Sequence, residues 1–559
     1  MSLRSLLWIL IGSLPFAAAA ADDDAPPAYV PKAMFCADGG STLCPTVPSF
    51  IVPDPALHTG LGYPGLSNDV TSAQDDVQSP FDNMAWQMFV ALNWRAGQGP
   101  GDPKTALAGG GPAVWQTWSR PEDVFGGPAG NCPNPDDLPR FNLIAKSAAQ
   151  TGRDDEFLQA TGQPLIDVDG NWALFERRLN DVEKHYVVGN GLDSLAGQQV
   201  FALNGNSVAF PAGDMSKTDG AVGAIEIKAS WRIIRDRDKA RYFHQRALID
   251  VEGRYVADGK PLCATVTLGL TGLHIIQNNG TDGSLRPEFI WASFEHVGNV
   301  PLATAACDPT DSNCYKTIAS SAASPNICPA DGVTGSYAFF NAGCKGIVSN
   351  APPTLAAGQT DFLWNRSPPY AGQYVTRQGQ TLCGTQATRC WKVYKLTEAL
   401  NRQWRGQLSA LGSVFGNYFL IGTNWGGNVE PDGTQLANGS VPAFLGNSTM
   451  ETYIQSDPVN GNCVNCHSNA TLAYQQATSD PKQPKTFPAD FSFLLGLAEK
   501  TCTDVNAGPI WNNAQAPGIC GPLCTKFALG WNGQWTTTVP GTRSVCGCCL
   551  PDPGTSRAN

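Results

Sequence analysis

The sequence predicts an α+β fold: a large β-rich scaffold, a short helical segment near the C-terminus, and a small disulfide-stapled module after it. Three observations lead there. Gly 59 and Pro 42 against 15% charged residues describe a turn-rich globular chain. Several stretches alternate apolar and polar residues with the period of a half-buried strand, AIEIKASWRII (224–234) most cleanly. Of the 18 cysteines, many gather between 301 and 360 and after 500, as they do where a chain is stapled in an oxidising compartment. A length of 559 residues suggests more than one domain. The net charge of −11 argues against a nucleic acid or an anionic membrane surface as partner.

Taken in order, residues 1–21 read as a secretory signal. Arg4 supplies the positive start, Leu6 to Phe16 the apolar core and Ala17 to Ala21 the cleavage zone; no later run is apolar enough to span a membrane. The expected location is therefore periplasmic or secreted. Residues 22–75 are a Pro- and Gly-rich leader, and a β-rich main domain is expected over 76–440, with a Cys-rich insert near 301–360. FDNMAWQMFVALNW (81–94) has helical spacing, with Asp82 or Asn83 placed to cap it and Met84 and Met88 as core residues. VWQTWSRPEDVF (114–125) is a short strand or helix entry. LIDVDGNWA (165–173) and LIDVEGRYV (248–256) both read as hairpins; the first resembles the start of a calcium loop, but Arg178 stands where the twelfth-position Glu would be. In 224–234, Glu226, Lys228, Ser230 and Arg232 share one face, expected to be solvated or to wall a cavity. LCATVTLGLTGLHII (262–276) and EFIWASFEHVGNV (288–300) are strands of one hairpin. RCWKVYKLT (389–397) and NYFLIGTNW (417–425) are strands around a helix at 400–411. Further helices are expected at 448–455 and, capped by Asp490, at 490–500. Cys36 with Cys44, and Cys383 with Cys390, are spaced to close local disulfide loops.

The most specific motif is CVNCH, Cys463 to His467, within an attachment segment expected over 441–501. Two cysteines at i and i+3 followed by histidine are the spacing of a c-type haem site. Cys463 and Cys466 would form thioethers to the haem vinyl groups, and His467 would be the proximal iron ligand. By composition, chance supplies on the order of 0.006 such motifs per chain. No second ligand pair at zinc spacing lies nearby. After His467 the chain has no Met and no His, so a distal ligand from either residue type must come from upstream. The candidates are His58, His185, His244, His274 and His296, with Met450 and the earlier Met residues behind them. Pairing the two strands about a turn near 280–284 sets His274 opposite residue 290 and His296 opposite residue 268, so at most one can reach the iron. The preference falls on His296, at a strand end beside Gly298.

AWQMFVALNW, GLHII, FIWASFEHVGNVP, STMETYIQ, the CxxCH and DFSFLL together resemble a family of exported bacterial "cytochrome c family" proteins, over about 80–500. The resemblance implies one covalent haem c in a large β-rich scaffold and names no reaction.

The last segment, 502–559, has a different texture. AGPIWNNAQAPGICGPLCTKFALGWNGQWTTTVPGTRSVCGC (507–548) resembles one repeat of the oligomannose-binding lectins first seen in cyanobacteria. The carrying positions are Ala507, Gly508, Pro509, Trp511, Asn513 and Ala514, then Asn532 to Thr537, then Ser544 and Val545. The resemblance implies a mannan-binding, lectin-like module with Trp511, Asn513, Asn532, Gln534 and Trp535 as carbohydrate-binding residues. Tryptophan faces and amide side chains are the groups that stack on sugars and orient them. The lectin family usually carries tandem repeats without these cysteines, whereas this chain has one copy. So small a core needs staples. Cys520 and Cys524 lie one helical turn apart and Cys546 and Cys548 share a strand face, so disulfides between those pairs are sensible, leaving Cys502 and Cys549 to pair. Trp511 and Trp535 as mere core filler is the alternative.

The reading these observations support is an exported mono-haem c-type cytochrome that transfers electrons to a redox partner protein or small molecule, localised by a carbohydrate-binding tail. The alternative is a haem c enzyme, peroxidase- or oxidase-like, acting on an extracellular substrate such as a polysaccharide. No GxSxG, GxxxxGK[ST] or HExxH motif occurs.

Overall fold

In the computed structural model the described residues are 43–49, 70–108, 111–127, 130–143, 156–214, 220–279, 289–309, 328–425, 444–455, 457 and 461–551. The signal segment, most of the leader, Cys36, His58 and Cys314 lie outside them. The first elements are helices α1 (Val70–Leu92), α2 (Pro103–Ala106) and α3 (Pro121–Phe125), strands β1 (Arg140–Leu143) and β2 (Leu174–Leu179), and helices α4 (Asp181–Gly189) and α5 (Leu195–Leu203). Strands β3 (Ile225–Ile233), β4 (His244–Val251), β5 (Leu262–Asn278), β6 (Phe289–His296) and β7 (Leu302–Cys307) follow. Then come β8 (Thr376–Gln378), β9 (Thr381–Cys383), β10 (Arg389–Trp391), α6 (Lys395–Ala410) and β11 (Tyr418–Trp425). The chain ends in α7 (Cys463–His467), β12 (Cys502–Gly508), α8 (Ala516–Lys526), β13 (Gly530–Val539) and β14 (Arg543–Cys549).

The main sheet has seven strands, and β5, 17 residues long, is its spine. β4 pairs with its first half, β3 and β6 with its second; β2 extends β3, β11 extends β6, and β1 lies parallel to β4. Ile227, Trp231, Leu273, Ile275 and Phe294 bury one face in the principal core. Helix α1 covers it: Phe81 stacks on Trp425 at 3.9 Å, Phe89 on Phe294 at 4.2 Å, and Trp86 on Trp404 of α6 at 5.9 Å. Met84 and Met88 are buried in the same core, as their spacing on α1 suggests.

Several local expectations change. Helix α1 starts at Val70, so Asp82 and Asn83 sit inside it and cap nothing. Asp82 is buried and accepts hydrogen bonds from Gln78 and Thr423; burial pushes its carboxyl up to about 6. The segment 165–173 is a tight hairpin in which Ile166 pairs with Trp172, and Asp167, where a calcium ligand would stand, takes the Arg232 guanidinium at 3.1 Å. In 248–256 the strand does not resume after its turn; β4 pairs instead with β5, Val251 opposite Leu262. Residues 448–455 form turns, and 490–500 hold only a 3₁₀ turn, Phe493–Leu497, capped by Ser492. The Asp490 carboxylate accepts the Phe210 N–H instead of capping it.

The disulfides show why sequence proximity misleads. Cys383 bonds Cys344 and Cys390 bonds Cys328, so the Cys-rich insert is tied to β9 and β10, and the local Cys383–Cys390 loop is not formed. Cys132–Cys263 joins β5 to the loop before β1. At the C-terminus the expected pairs form: Cys502–Cys549, Cys520–Cys546 and Cys524–Cys548, tying α8 and the strand ends of a three-stranded sheet ordered β12-β14-β13. Six disulfides among described cysteines fit an extracellular or secreted protein. Among the described residues, no helix is long and apolar enough to cross a membrane.

Candidate functional sites

The second face of the main sheet decides where α7 sits. Glu226, Lys228 and Ser230 of β3, His274 of β5 and Trp291, Ser293 and Glu295 of β6 fall on that face by register. It is neither solvated nor an open wall, as its alternation suggested: residues 447–451 lie down on it. Asn447 Nδ2 donates to Ser293 Oγ at 3.1 Å, Ser230 and Thr449 share a hydroxyl contact of 2.7 Å, and the Ser448 N–H donates to Glu295 at 2.7 Å. Gly272 makes this approach feasible, because a Cβ there would stand 2.9 Å from Thr449 Oγ1 and 3.1 Å from Asn447 Nδ2. Farther along, Asn424 of β11 accepts the Val464 N–H at 3.1 Å and fixes the start of α7.

Within α7, Asn462 caps the first turn by accepting the Asn465 N–H. Cys463 and Cys466 are free thiols, half-buried, in a chain whose other described cysteines are disulfide-bonded. Burial pushes both thiols up, Cys463 well above its ordinary value. His467 Nδ1 is 2.7 Å from the Phe491 carbonyl, which can only accept, so Nδ1 carries the proton. That leaves Nε2 with a lone pair and no hydrogen-bond partner among the described residues, the state of a metal-ligating imidazole. Burial lowers the His467 pKa to about 4 and keeps the ring neutral. Trp291 and Phe493 flank it with ring centroids at 5.4 and 5.1 Å, and the buried Trp291 Nε1 has no acceptor. Among the described residues, no three His, Cys, Asp or Glu side chains gather as a metal site of their own.

The two histidines weighed as distal ligands part company. His274 pairs with Ser293, and Gly272 with Glu295, so His296 lies opposite residue 271. The register differs by three residues from the one expected, which puts the pair about 10 Å apart along the strands and on opposite faces of the sheet. His296 faces away from α7. Its Nε2 donates to the Arg241 carbonyl at 3.0 Å, its Nδ1 accepts the Gly298 N–H at 3.0 Å, and Tyr242 stacks on it at 4.0 Å. It is a satisfied structural histidine, and the preference for it falls. His274 shares the sheet face with α7 and contacts Glu451, a residue that sequence reasoning missed, at 3.0 Å; Lys228 reaches the same carboxylate at 3.1 Å. Burial alone would raise Glu451, but the charges of His274 and Lys228 hold it down at about 2. Nothing in the sequence links Glu451 to His274, since 177 residues separate them. His185 and His244 are exposed, and Met450 is buried in a cluster with Leu165 and Phe175.

A test of this assignment comes from pH. Burial lowers the His296 pKa from 6.5 to about 3. A depressed pKa means the unfolded chain binds the proton first, so this group's contribution is present above pH 6.5 and is lost as pH falls toward 3, by about 1.4 kcal/mol per unit. The variant His296→Gln should show that much less acid sensitivity in urea unfolding between pH 6 and 4. An unchanged slope would contradict a buried neutral His296.

In the C-terminal module four of the five predicted carbohydrate residues are joined in two hydrogen-bonded pairs. Trp535 Nε1 donates to Asn513 Oδ1 at 3.0 Å, joining two of them. Between Trp531 and Trp535 the register slips, so 532–534 bulge opposite Gly547; there the Gln534 N–H donates to Asn532 Oδ1 at 2.9 Å. Trp535 packs half-buried on the module core, so the filler reading describes it in part. Trp511 is 68% exposed, the most exposed large apolar side chain among the described residues, and its ring lies 3.6 Å from where a Gly541 Cβ would be. Its ring fills no core.

Residues 513–548 match the family model described as MVL: Mannan-binding protein. The match begins two residues after Trp511 and contains Asn513, Asn532, Gln534 and Trp535. No curated protein and no solved structure matches the chain. The C-terminal module is therefore similar to a mannan-binding domain over 36 residues, 513 to 548, of a longer chain.

Proposed function

We propose that this chain binds mannose-type glycans through its C-terminal module and carries one covalent haem c at α7, serving as an exported electron-transfer protein held at a glycan surface. The observation that carries the glycan half is the mannan-binding match at 513–548 beside an indole left 68% exposed. Stacking an indole face on sugar C–H groups is the standard way to use such a ring. In the full-length protein Trp511→Ala should lower affinity for oligomannosides by tenfold or more on a glycan array, the order of a lost aromatic anchor. Equal binding by both proteins would remove Trp511 from the site.

The haem half rests on the chemistry of the donor set. Two free cysteines three residues apart and a histidine with its Nδ1 proton engaged and its Nε2 lone pair open suit a c-type haem. When bound, haem c supplies one-electron chemistry at an iron. Cys463 and Cys466 would hold it, His467 would ligate, and Phe491 would fix the ligand's tautomer and aim. Trp291 and Phe493 shield that imidazole from water, and the orphan Trp291 N–H is available to an acceptor. The optical and EPR spectra of the purified protein test the proposal: a protein without covalently bound haem would defeat it.

One observation favours the enzyme alternative, a haem c enzyme acting on an extracellular substrate. His274 Nε2 is engaged by Glu451, which also pairs with Lys228, instead of standing free as a ligand. His274→Ala should leave the spectrum unchanged if that network is only electrostatic. Conversion of a low-spin to a high-spin spectrum would assign His274 as distal ligand and favour electron transfer.

A further inference from the structure

The C-terminal module is not a free appendage, and the seam it makes with the main domain encloses a cleft of about 490 Å³. One wall is the end of α4 and the start of α5, with Asn190, Asp193 and Ser194; the other is Thr503 and Asp504 of β12 with Asn532. The walls are locked together. The Leu195 N–H donates to the Lys500 carbonyl at 2.8 Å, Lys500 Nζ pairs with Asp193 at 2.8 Å, and Gln199 of α5 donates to the Phe527 carbonyl. Ala196 of α5 is buried in the module's own core.

We infer that this cleft is a second carbohydrate subsite, in which the main domain helps the module to hold an oligomannoside; the inference rests on the glycan reading above. Three observations lead to it. The cleft's size lies in the range of pockets that hold small ligands, here a sugar unit or two. Its lining is mostly hydrogen-bonding groups and glycines, with two carboxylates, and Val188, Val200 and Cys502 supply an apolar part. Asp193 is neutralised by Lys500, while the exposed Asp504 has no hydrogen-bond or ion-pair partner among the described residues. A free carboxylate beside amides repels anions and accepts paired hydroxyls, so the fitting ligand is neutral and polyhydroxylated. Asn190 donates through Nδ2 to the Tyr186 carbonyl, leaving its Oδ1 for a ligand hydroxyl. Finally, Asn532 lies within the mannan-binding match and packs on Gly547, where an added Cβ would fall 2.5 Å from its Oδ1. The cleft thus continues the matched surface onto α4. Trp511 sits by Gly541 and Asn532 by Gly547, six residues along one chain, about 20 Å if extended. A mannose chain spanning both would gain affinity by linkage, which a single repeat otherwise lacks.

The test uses the full-length protein and mannose oligomers of increasing length, read by calorimetry and by hydrogen exchange. A long oligomannoside should slow exchange in 186–194 as well as in the module, and Asp504→Asn or Asn190→Ala should weaken its binding about tenfold, the loss of one charge-assisted or amide contact. Mannobiose should bind both variants as it binds the unsubstituted protein. If long oligomers bind both variants normally and leave 186–194 unprotected, while Trp511→Ala still abolishes binding, the cleft inference is wrong and the glycan reading stands. If the unsubstituted protein binds none of these sugars, both fall together.

Discussion

The double substitution C463A/C466A is expected to abolish covalent haem while leaving the fold in place. Neither side chain is part of a disulfide, and both are only half-buried in α7, so alanine removes little packing. With both thioethers gone, haem should be lost on acid–acetone extraction, and in-gel peroxidase staining should disappear. The single substitutions should each retain one thioether and shift the pyridine haemochrome band toward that of a free vinyl group. A covalent haem surviving in the double variant would place its attachment elsewhere.

Arg389→Ala should be the most destabilising surface-distant substitution in the main domain, costing about 3–5 kcal/mol, because it strands a buried carboxylate. Glu295 is fully buried on β6 and is held by the Arg389 guanidinium together with the Ser448 N–H and hydroxyl. That network anchors the segment from 444 onward, which leads to α7. Urea unfolding should show the loss directly, and hydrogen exchange should rise between 444 and 455 before it rises in α1. The paired substitution R389M/E295Q should recover much of the stability, since no uncompensated charge remains. Stability of Arg389→Ala equal to that of the parent protein would show the ion pair to be dispensable.

Much of this protein was legible one residue at a time. Cysteines three apart with an adjacent histidine set Cys463 and Cys466 aside from the disulfide framework by local spacing alone, and the structure keeps those two thiols out of every disulfide. The staples of the C-terminal module were readable for the same reason: a helical turn and a strand face set the four sulfurs opposite one another. In the main sheet β3 followed from alternation, and β5, β6 and β11 stand where strands were expected, whereas β1 and β2 were not foreseen; the hydrophobic face of α1 followed from its period.

What sequence left open is what depends on register and on distant chain. A shift of three residues between β5 and β6 moved His296 to the face away from α7, because strand side chains alternate and any odd slip exchanges the faces. The polar face of β3 looked solvent-bound because its cover, residues 447–451, arrives some 220 positions later; Lys228 and Glu451 are 223 residues apart. The Cys344–Cys383 and Cys328–Cys390 pairs were equally hidden, since a disulfide needs matched Cα separation and direction and not nearness in sequence. By itself, the sequence singled out the side chains proposed to carry chemistry: Cys463, Cys466, His467 and the module's tryptophans and amides. Only the tertiary structure decided which of them meet and which histidine faces α7. It also decided that Trp511 lies bare to solvent, since burial and facing are properties of the packed sheet and not of any single segment.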